Sequence, residues 1–224
     1  MNDIFSVYGS FLLEALGQTL LLALLGLFFG CILGVIFGLF SVVQNKFCNI
    51  IALIYVNLIR GVPMIVLAFF IYIGVPYALN QYLNAGITMS SLTAGTICLS
   101  LNCGAYMAEI IRAGIQSIDP GQMEAARSLG LSWWRSMYRV VFPQAIRNMI
   151  PSIVNQFIIT LKDTSILSVI GFPELVNKAQ NVIARTFRSF EVWTIVAIMY
   201  LIVILTLQQV AKMLERRLNR DRLS

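Results

Sequence analysis

The sequence predicts an all-α, polytopic membrane protein with five transmembrane helices, its N-terminus outside and its C-terminus in the cytoplasm. Three observations carry that reading. Of 224 residues, 58% are hydrophobic and only 12% charged, where an average soluble domain has roughly 25% charged. The charges are missing in blocks, with none at 15–45, 61–108, 148–161 or 192–211. A hydrocarbon core about 30 Å thick takes roughly 20 apolar residues in a helix, so block 61–108, divided by a turn-like stretch at 74–91, holds two passages. The third observation is where lysine and arginine fall, because basic loops stay in the cytoplasm. Arg112, Arg127, Arg135, Arg139 and Arg147 lie between the third and fourth crossings, and Lys212, Arg216, Arg217, Arg220 and Arg222 lie in the tail. No Lys or Arg precedes the first crossing, and Lys178, Arg185 and Arg188 between the last two are offset by Glu174 and Glu191.

The chain is read as one transmembrane domain, 1–224, with helices over 11–43, 49–79, 88–115, 144–169 and 190–214, and a cytoplasmic elbow over 119–142. The formal charge of +6 is mainly a topology signal. It favours contact with anionic membrane lipid over any nucleic-acid role. Four cysteines lack metal-ligand spacing, and the absence of histidine removes the usual general base, haem ligand and zinc ligand. No metal or cofactor is expected on this chain.

In order along the sequence, the first apolar run is read as retained, because Asp3 and Glu14 and no basic residue precede it. It carries Gly26, Gly30, Gly34 and Gly38, a spacing of four that lays glycines along one face and lets another backbone approach. The second crossing contains NLIRGVPM at 57–64, where Pro63 after Gly61 should kink or break the helix. Arg60 beside that break faces protein, water or headgroups, either as a snorkelling cation or as part of a pathway.

The elbow is polar and punctuated. Asp119 suits an N-cap, Pro120 the first helical position, Gln122 the reciprocal place in a capping box, and Gly130 the residue past the helix end. Ser132 would cap a second helix through WWRSMYRVVF, stopped by Pro143.

Within it, EAARSLGLSWWRSMYRVVFP at 124–143 resembles the EAA motif of ABC importer permeases, in which Gly follows EAA after three residues and an Ile-x-Leu-Pro element follows after nine more. Glu124, Ala125, Ala126, Gly130 and Pro143 match, while Val140 and Phe142 replace Ile and Leu. LIRGVPMIV, SLNCGAYMAEIIRAGIQSI, PGQMEAARSLGLS, FPQAIRNMIPSIVNQFI and LKDTSILSVIGFPEL extend the resemblance to the binding-protein-dependent importers of polar amino acids. The resemblance implies a type I ABC importer permease fold, in the plasma membrane of a prokaryote. It also implies two ATP-binding-cassette subunits carrying ATP and magnesium, a second permease subunit (the same chain or a sister) and an external substrate-binding protein. Glu124, Ala125, Ala126, Arg127 and Gly130 would form the coupling helix against the ATPase, with small alanines entering a groove and Glu124 and Arg127 pairing at its rim. No GxxxxGK[ST] loop is present, so hydrolysis is assigned to the partner and the chain is read as non-catalytic.

Intramembrane polar residues are the candidates for a substrate path, since each is costly unless paired or solvated. Asn102 and Glu109 share a helical face with Tyr106 between them, and Gln156 and Thr160 lie on the face of Asp163. Asn102, Gln156, Asp163, Thr164 and Ser165 could bind an amino acid. Alternatively, Lys162, Asp163 and Glu109 form ion pairs that only hold helices together. An acidic Asp163 places a basic cargo such as arginine first and glutamine next. The competing function, an autonomous channel or ion-coupled carrier, leaves the capped elbow without a purpose. An intramembrane enzyme is excluded by the lack of histidine, of GxSxG and of carboxylates at catalytic spacing.

Overall fold

The computed structural model describes residues 2–83 and 86–220. In order, the helices are α1 (Asn2–Phe40), α2 (Lys46–Gly61), α3 (Met64–Phe69), α4 (Val75–Leu83), α5 (Ser91–Gln116), α6 (Pro120–Ser128), α7 (Trp133–Ser136), α8 (Phe142–Asp163), α9 (Leu175–Thr186) and α10 (Ser189–Arg220). Five stretches are long and apolar enough to cross a membrane: Ile4–Phe40, Met64–Tyr82, Ser91–Gln116, Trp133–Ile170 and Ser189–Met213.

The centre of the bundle is the pairing of α1 with α5. A Cβ built at Gly26 would lie 2.5 Å from Leu99, at Gly30 2.8 Å from Cys103 and at Gly38 2.8 Å from Ile111, while one at Gly34 would collide with Met107. The partners rise by four as the glycines do, so the two helices run parallel and meet in one register. Only glycine permits that approach. Replacing Gly34 with Ile should cost about 1–3 kcal/mol through overpacking, read as a lower unfolding temperature of the detergent-purified protein. Gly17→Ala, at a position where an added Cβ would meet no described atom within 4 Å beyond its chain neighbours and its own helix backbone, should show no such loss.

Helix α1 has 39 residues, about 58 Å, so it outruns a hydrocarbon core of about 30 Å. It begins well before the expected residue 11 because its first turns have their own core. Ile4, Leu12 and Ala15 pack against Leu175, Ala179, Val182 and Val192 of α9 and α10. At that junction Glu174, fully buried, caps α9 by accepting from the N–H groups of Val176 at 2.9 Å and Asn177 at 2.6 Å, and the Tyr200 hydroxyl donates to it at 3.2 Å. Burial pushes the Glu174 carboxyl above the ordinary carboxylate range, against the pull of these three donors. Thr19 of α1 completes the joint by accepting from Leu175 N–H at 3.1 Å.

The helix expected over 49–79 is broken. Asn45 caps α2, which ends at Gly61; Val62 is extended (φ −101°, ψ 131°) and the chain restarts at Met64. Pro63 explains the break: it has no N–H to donate, and its ring forces the preceding residue out of the helical region. Two later prolines are accommodated differently. A π turn at Phe70–Gly74 precedes Pro76, and another at Met137–Val141 precedes Pro143. In each, the next N–H reaches back five residues, Val75 to Phe70 and Phe142 to Met137. The wider turn moves aside the carbonyl that the proline ring would strike. Pro143 therefore does not stop the helix as the sequence suggested. The chain continues from Trp133 to Ile170 as one spanning stretch.

Helix α5 is the most enclosed span, with 67% of its apolar window buried against 39% or less in the others. It packs on α1 by its glycine-facing side and on α8 by another. Apolar side chains such as Phe28, Phe70 and Ile202 point outward, as lipid-facing positions require.

Candidate functional site

Three helices bring charge into the bundle. Helix α2 ends at the Gly61–Pro63 break, which leaves Arg60 in its last turn. Helix α5 contributes Asn102, Tyr106 and Glu109 at steps of four and three, so they form one stripe. Helix α8, with Pro151 inside it, carries Gln156 and ends at Asp163.

Asn102 Nδ2 donates to Asp163 Oδ2 at 3.3 Å, joining α5 to α8. Beside this pair lies a cavity of about 480 Å³ lined by Arg60, Pro63, Asn102, Tyr106, Gln156 and Asp163. It thus holds one cation, one anion, two carboxamides and an aromatic ring. The Arg60 guanidinium lies 5.0 Å from the Tyr106 ring centre, and its Nη1 is 3.8 Å from Glu109 Oε2. Among the described residues it makes no hydrogen bond, although it has five N–H donors. Glu109 is committed elsewhere, accepting from Arg112 Nε at 3.0 Å and from its Nη2. Arg112 also donates to Gln116 Oε1 at 2.6 Å.

Two further cavities continue from the first. One of about 430 Å³ is lined by Arg60, Tyr106, Glu109, Asn155 and Gln156. The next, of about 520 Å³, is lined by Asn49, Asn57, Arg60, Glu109, Arg112 and Gln116. Arg60 borders all three, so a polar track follows the α5 stripe from Asp163 towards the end of α5, where α6 begins.

Of the residues expected to line a path, Asn102, Gln156 and Asp163 meet at the first cavity. Gln156 Nε2 also reaches Thr160 Oγ1 at 3.3 Å. Thr164 and Ser165 do not line it. Their hydroxyls donate to the carbonyls of Leu161 and Lys162, each at 2.7 Å, because the chain passes into a 3₁₀ segment at Thr164–Ile170 and leaves those carbonyls in need of partners. Lys162 is exposed, and among the described residues no ion pair joins it to Asp163 or Glu109. The sequence left the role of Arg60 open, because its meeting with Tyr106 and Glu109 depends on how α2 docks on α5.

The elbow is built as a rigid knob. Asp119 Oδ1 accepts from Gly121 N–H at 2.9 Å, with Pro120 at the first helical position. Gly130 has φ +84°, its N–H donates to Arg127 O at 3.0 Å, and Leu131 N–H donates to Ala126 O at 3.3 Å. These two bonds are the Schellman closure of a helix C-terminus. The capping box does not form, since the Gln122 side chain accepts from Gln144 at 3.3 Å instead. Glu124, Ala125 and Arg127 are exposed, whereas Ala126 is buried against its own chain. Ala126 faces inward because Met123, on the same side of α6, packs against the buried cluster of Ile111, Ile115, Val141, Ala145 and Met149. Among the described residues no ion pair joins Glu124 to Arg127. Leu129, Trp134 and Tyr138 stand exposed around the knob.

A charge-lined track inside a five-span bundle, with a rigid helical knob presented beyond it, defines a membrane-embedded transport component. The chain belongs to the family of binding-protein-dependent transport system inner membrane components, whose model matches residues 26–220. It is 39% identical over 208 residues, 93% of each chain, to the glutamine transport system permease protein GlnP of Escherichia coli. It superposes with TM-score 0.86 and 39% identity on a chain of an amino acid ABC transporter crystallised with histidines, covering 95% of this chain and 96% of that one. A chain of the MetNI methionine ABC transporter, solved in inward-facing conformations, shares the fold at TM-score 0.76 with 18% identity, over 92% and 95% of the two. The fold is thus that of type I ABC importer permeases, and the protein is a multi-pass component of the bacterial inner membrane. In this family the permease is a component separate from the ATPase, and membership implies an ATPase, a substrate-binding protein and a second permease subunit as partners.

Proposed function

We propose that this chain forms the translocation path of an ATP-driven importer for polar amino acids, and that the cavity between Arg60 and Asp163 takes the substrate. The observation that carries the reading is that a guanidinium making no hydrogen bond among the described residues and a carboxylate line a single cavity of about 480 Å³. An amino acid brings a carboxylate and an ammonium. Arg60 supplies donors for the first in the forked geometry that suits carboxylates, and Asp163 accepts from the second. The carbonyl oxygens of Asn102 and Gln156, and the second N–H of each carboxamide, then remain for the side chain.

That division favours an amide side chain over a basic one, reversing the order in which the sequence alone ranked arginine and glutamine. The likeness to a glutamine permease agrees with it. A basic side chain would need a second anion, and the carboxylate that lines the adjoining cavity, Glu109, is held by Arg112.

Two ATPase subunits carrying ATP and magnesium close and open against the exposed face of α6, and a second permease chain completes the path. The external binding protein delivers substrate on the side of the N-terminus. The basic elbow and tail hold α6 and the C-terminus in the cytoplasm. Uptake by alternating access follows if substrate affinity differs between the two facing states.

Binding of radiolabelled glutamine and arginine to the assembled complex tests the reading. Glutamine should bind more tightly. Preferential arginine binding would overturn the assignment of the side-chain pocket, and robust uptake by this chain without any ATPase would favour an autonomous carrier.

A further inference from the structure

Arg60 and Glu109 are joined by an ion pair too long to be a hydrogen bond. At 3.8 Å the guanidinium is within Coulomb reach of the carboxylate but outside the 2.7–3.2 Å range of N–H···O bonding. Both side chains are about one-third exposed, 37% and 31%. Arg112, by contrast, holds Glu109 through two hydrogen bonds. Glu109 therefore stands between two arginines, bound firmly to one and loosely to the other. The loosely held one borders the cavity at Asp163.

We propose that Glu109 is an internal competitor for Arg60. In the empty path it occupies the guanidinium from the α6 side, and the carboxylate of an incoming amino acid displaces it. The inference rests on the reading of Arg60 as the carboxylate site. Arg112 makes the exchange cheap: when Arg60 turns to the ligand, Glu109 keeps its bidentate partner, so no unpaired charge is left inside the membrane. Arg112 thus sets the strength of the competition, since a Glu109 released from it would bind Arg60 more firmly. Both residues act through Arg60 and are positioning residues for the substrate.

The roles predict effects of opposite sign. Glu109→Gln removes the competitor and should lower the Kd for glutamine roughly two- to fivefold, the range that an exposed ion pair spans. Arg112→Gln should raise it by a similar factor, and the double variant should return to the Glu109→Gln value. Glu109→Asp, which keeps a charge for Arg112 but withdraws it from Arg60 by one methylene, should also tighten binding. The measurement is equilibrium binding of radiolabelled glutamine to the purified complex of permease and ATPase, made without the binding protein so that this site alone is read. A merely structural Glu109 would leave Kd unchanged while lowering the yield of intact complex, and that result would overturn the proposal. Arg60→Gln separates the levels. If it leaves glutamine binding intact, the cavity assignment falls and this inference with it. If it weakens binding while neither Glu109 variant tightens it, the competition alone is wrong.

Discussion

Asp163→Asn should lower ATP-driven glutamine uptake in proteoliposomes at least about 30-fold while leaving the complex assembled. The expectation follows from what the substitution keeps and removes. An asparagine carbonyl can still accept from Asn102 Nδ2, so the 3.3 Å link between α5 and α8 survives. The negative charge facing the substrate ammonium does not. Truncating one partner of a desolvated charge pair costs about 2–5 kcal/mol, and each 1.4 kcal/mol is about tenfold. Uptake within about threefold of the unsubstituted protein would reduce Asp163 to an acceptor that only links α5 to α8 through Asn102.

The second large effect is expected at Gly130, whose φ of +84° lies in the left-handed region that costs an L-residue about 1–2 kcal/mol and a β-branched one more. Gly130→Val should break the closure in which Gly130 and Leu131 donate to Arg127 and Ala126. The exposed face of α6, with Glu124, Ala125 and Arg127, would then no longer be held in one orientation. ATP hydrolysis by the complex should continue, while uptake per ATP falls about tenfold or more, by the rate equivalent of the lost closure and its strain. Gly130→Asn, which tolerates this backbone region, should restore much of the coupling. Normal coupling in the valine variant would mean that α6 does not transmit the stroke through a fixed geometry.

Both residues could be singled out in the sequence, for different physical reasons. The cap and stop of α6 are local: Asp119, Pro120 and Gly130 act on groups within five residues of themselves, so spacing alone locates them. The same holds for the glycines of α1, where a spacing of four can only describe one helical face. Spacing places Gln122 in a capping box, but a non-local partner, Gln144, takes its side chain. The small side chain of Ala126 suggests a groove-entering residue, but spacing does not say which side of α6 faces its own chain, and Ala126 is buried there.

What stayed hidden depends on tertiary register or on backbone exceptions. The two π turns are invisible to any periodicity, yet they explain why Pro76 and Pro143 sit within continuous spans. Thr164 and Ser165 looked like path-lining hydroxyls because nothing in LKDTSI announces the 3₁₀ turn that consumes them. The centre of the track was half legible. Asn102, Tyr106 and Glu109 share a face by arithmetic, but Arg60 joins them only because Pro63 ends α2 where it rests on α5. The same break that cost the expected 49–79 helix its continuity thus places the cation opposite Asp163.

The most direct test is a structure of the assembled transporter with bound glutamine. The ligand is expected in the cavity bordered by Arg60 and Asp163, its carboxylate on the guanidinium, its ammonium on the carboxylate and its amide near Asn102 or Gln156, with Glu109 turned wholly to Arg112. Glutamine held elsewhere in the path, with Arg60 still over Tyr106 and paired to Glu109, would contradict it.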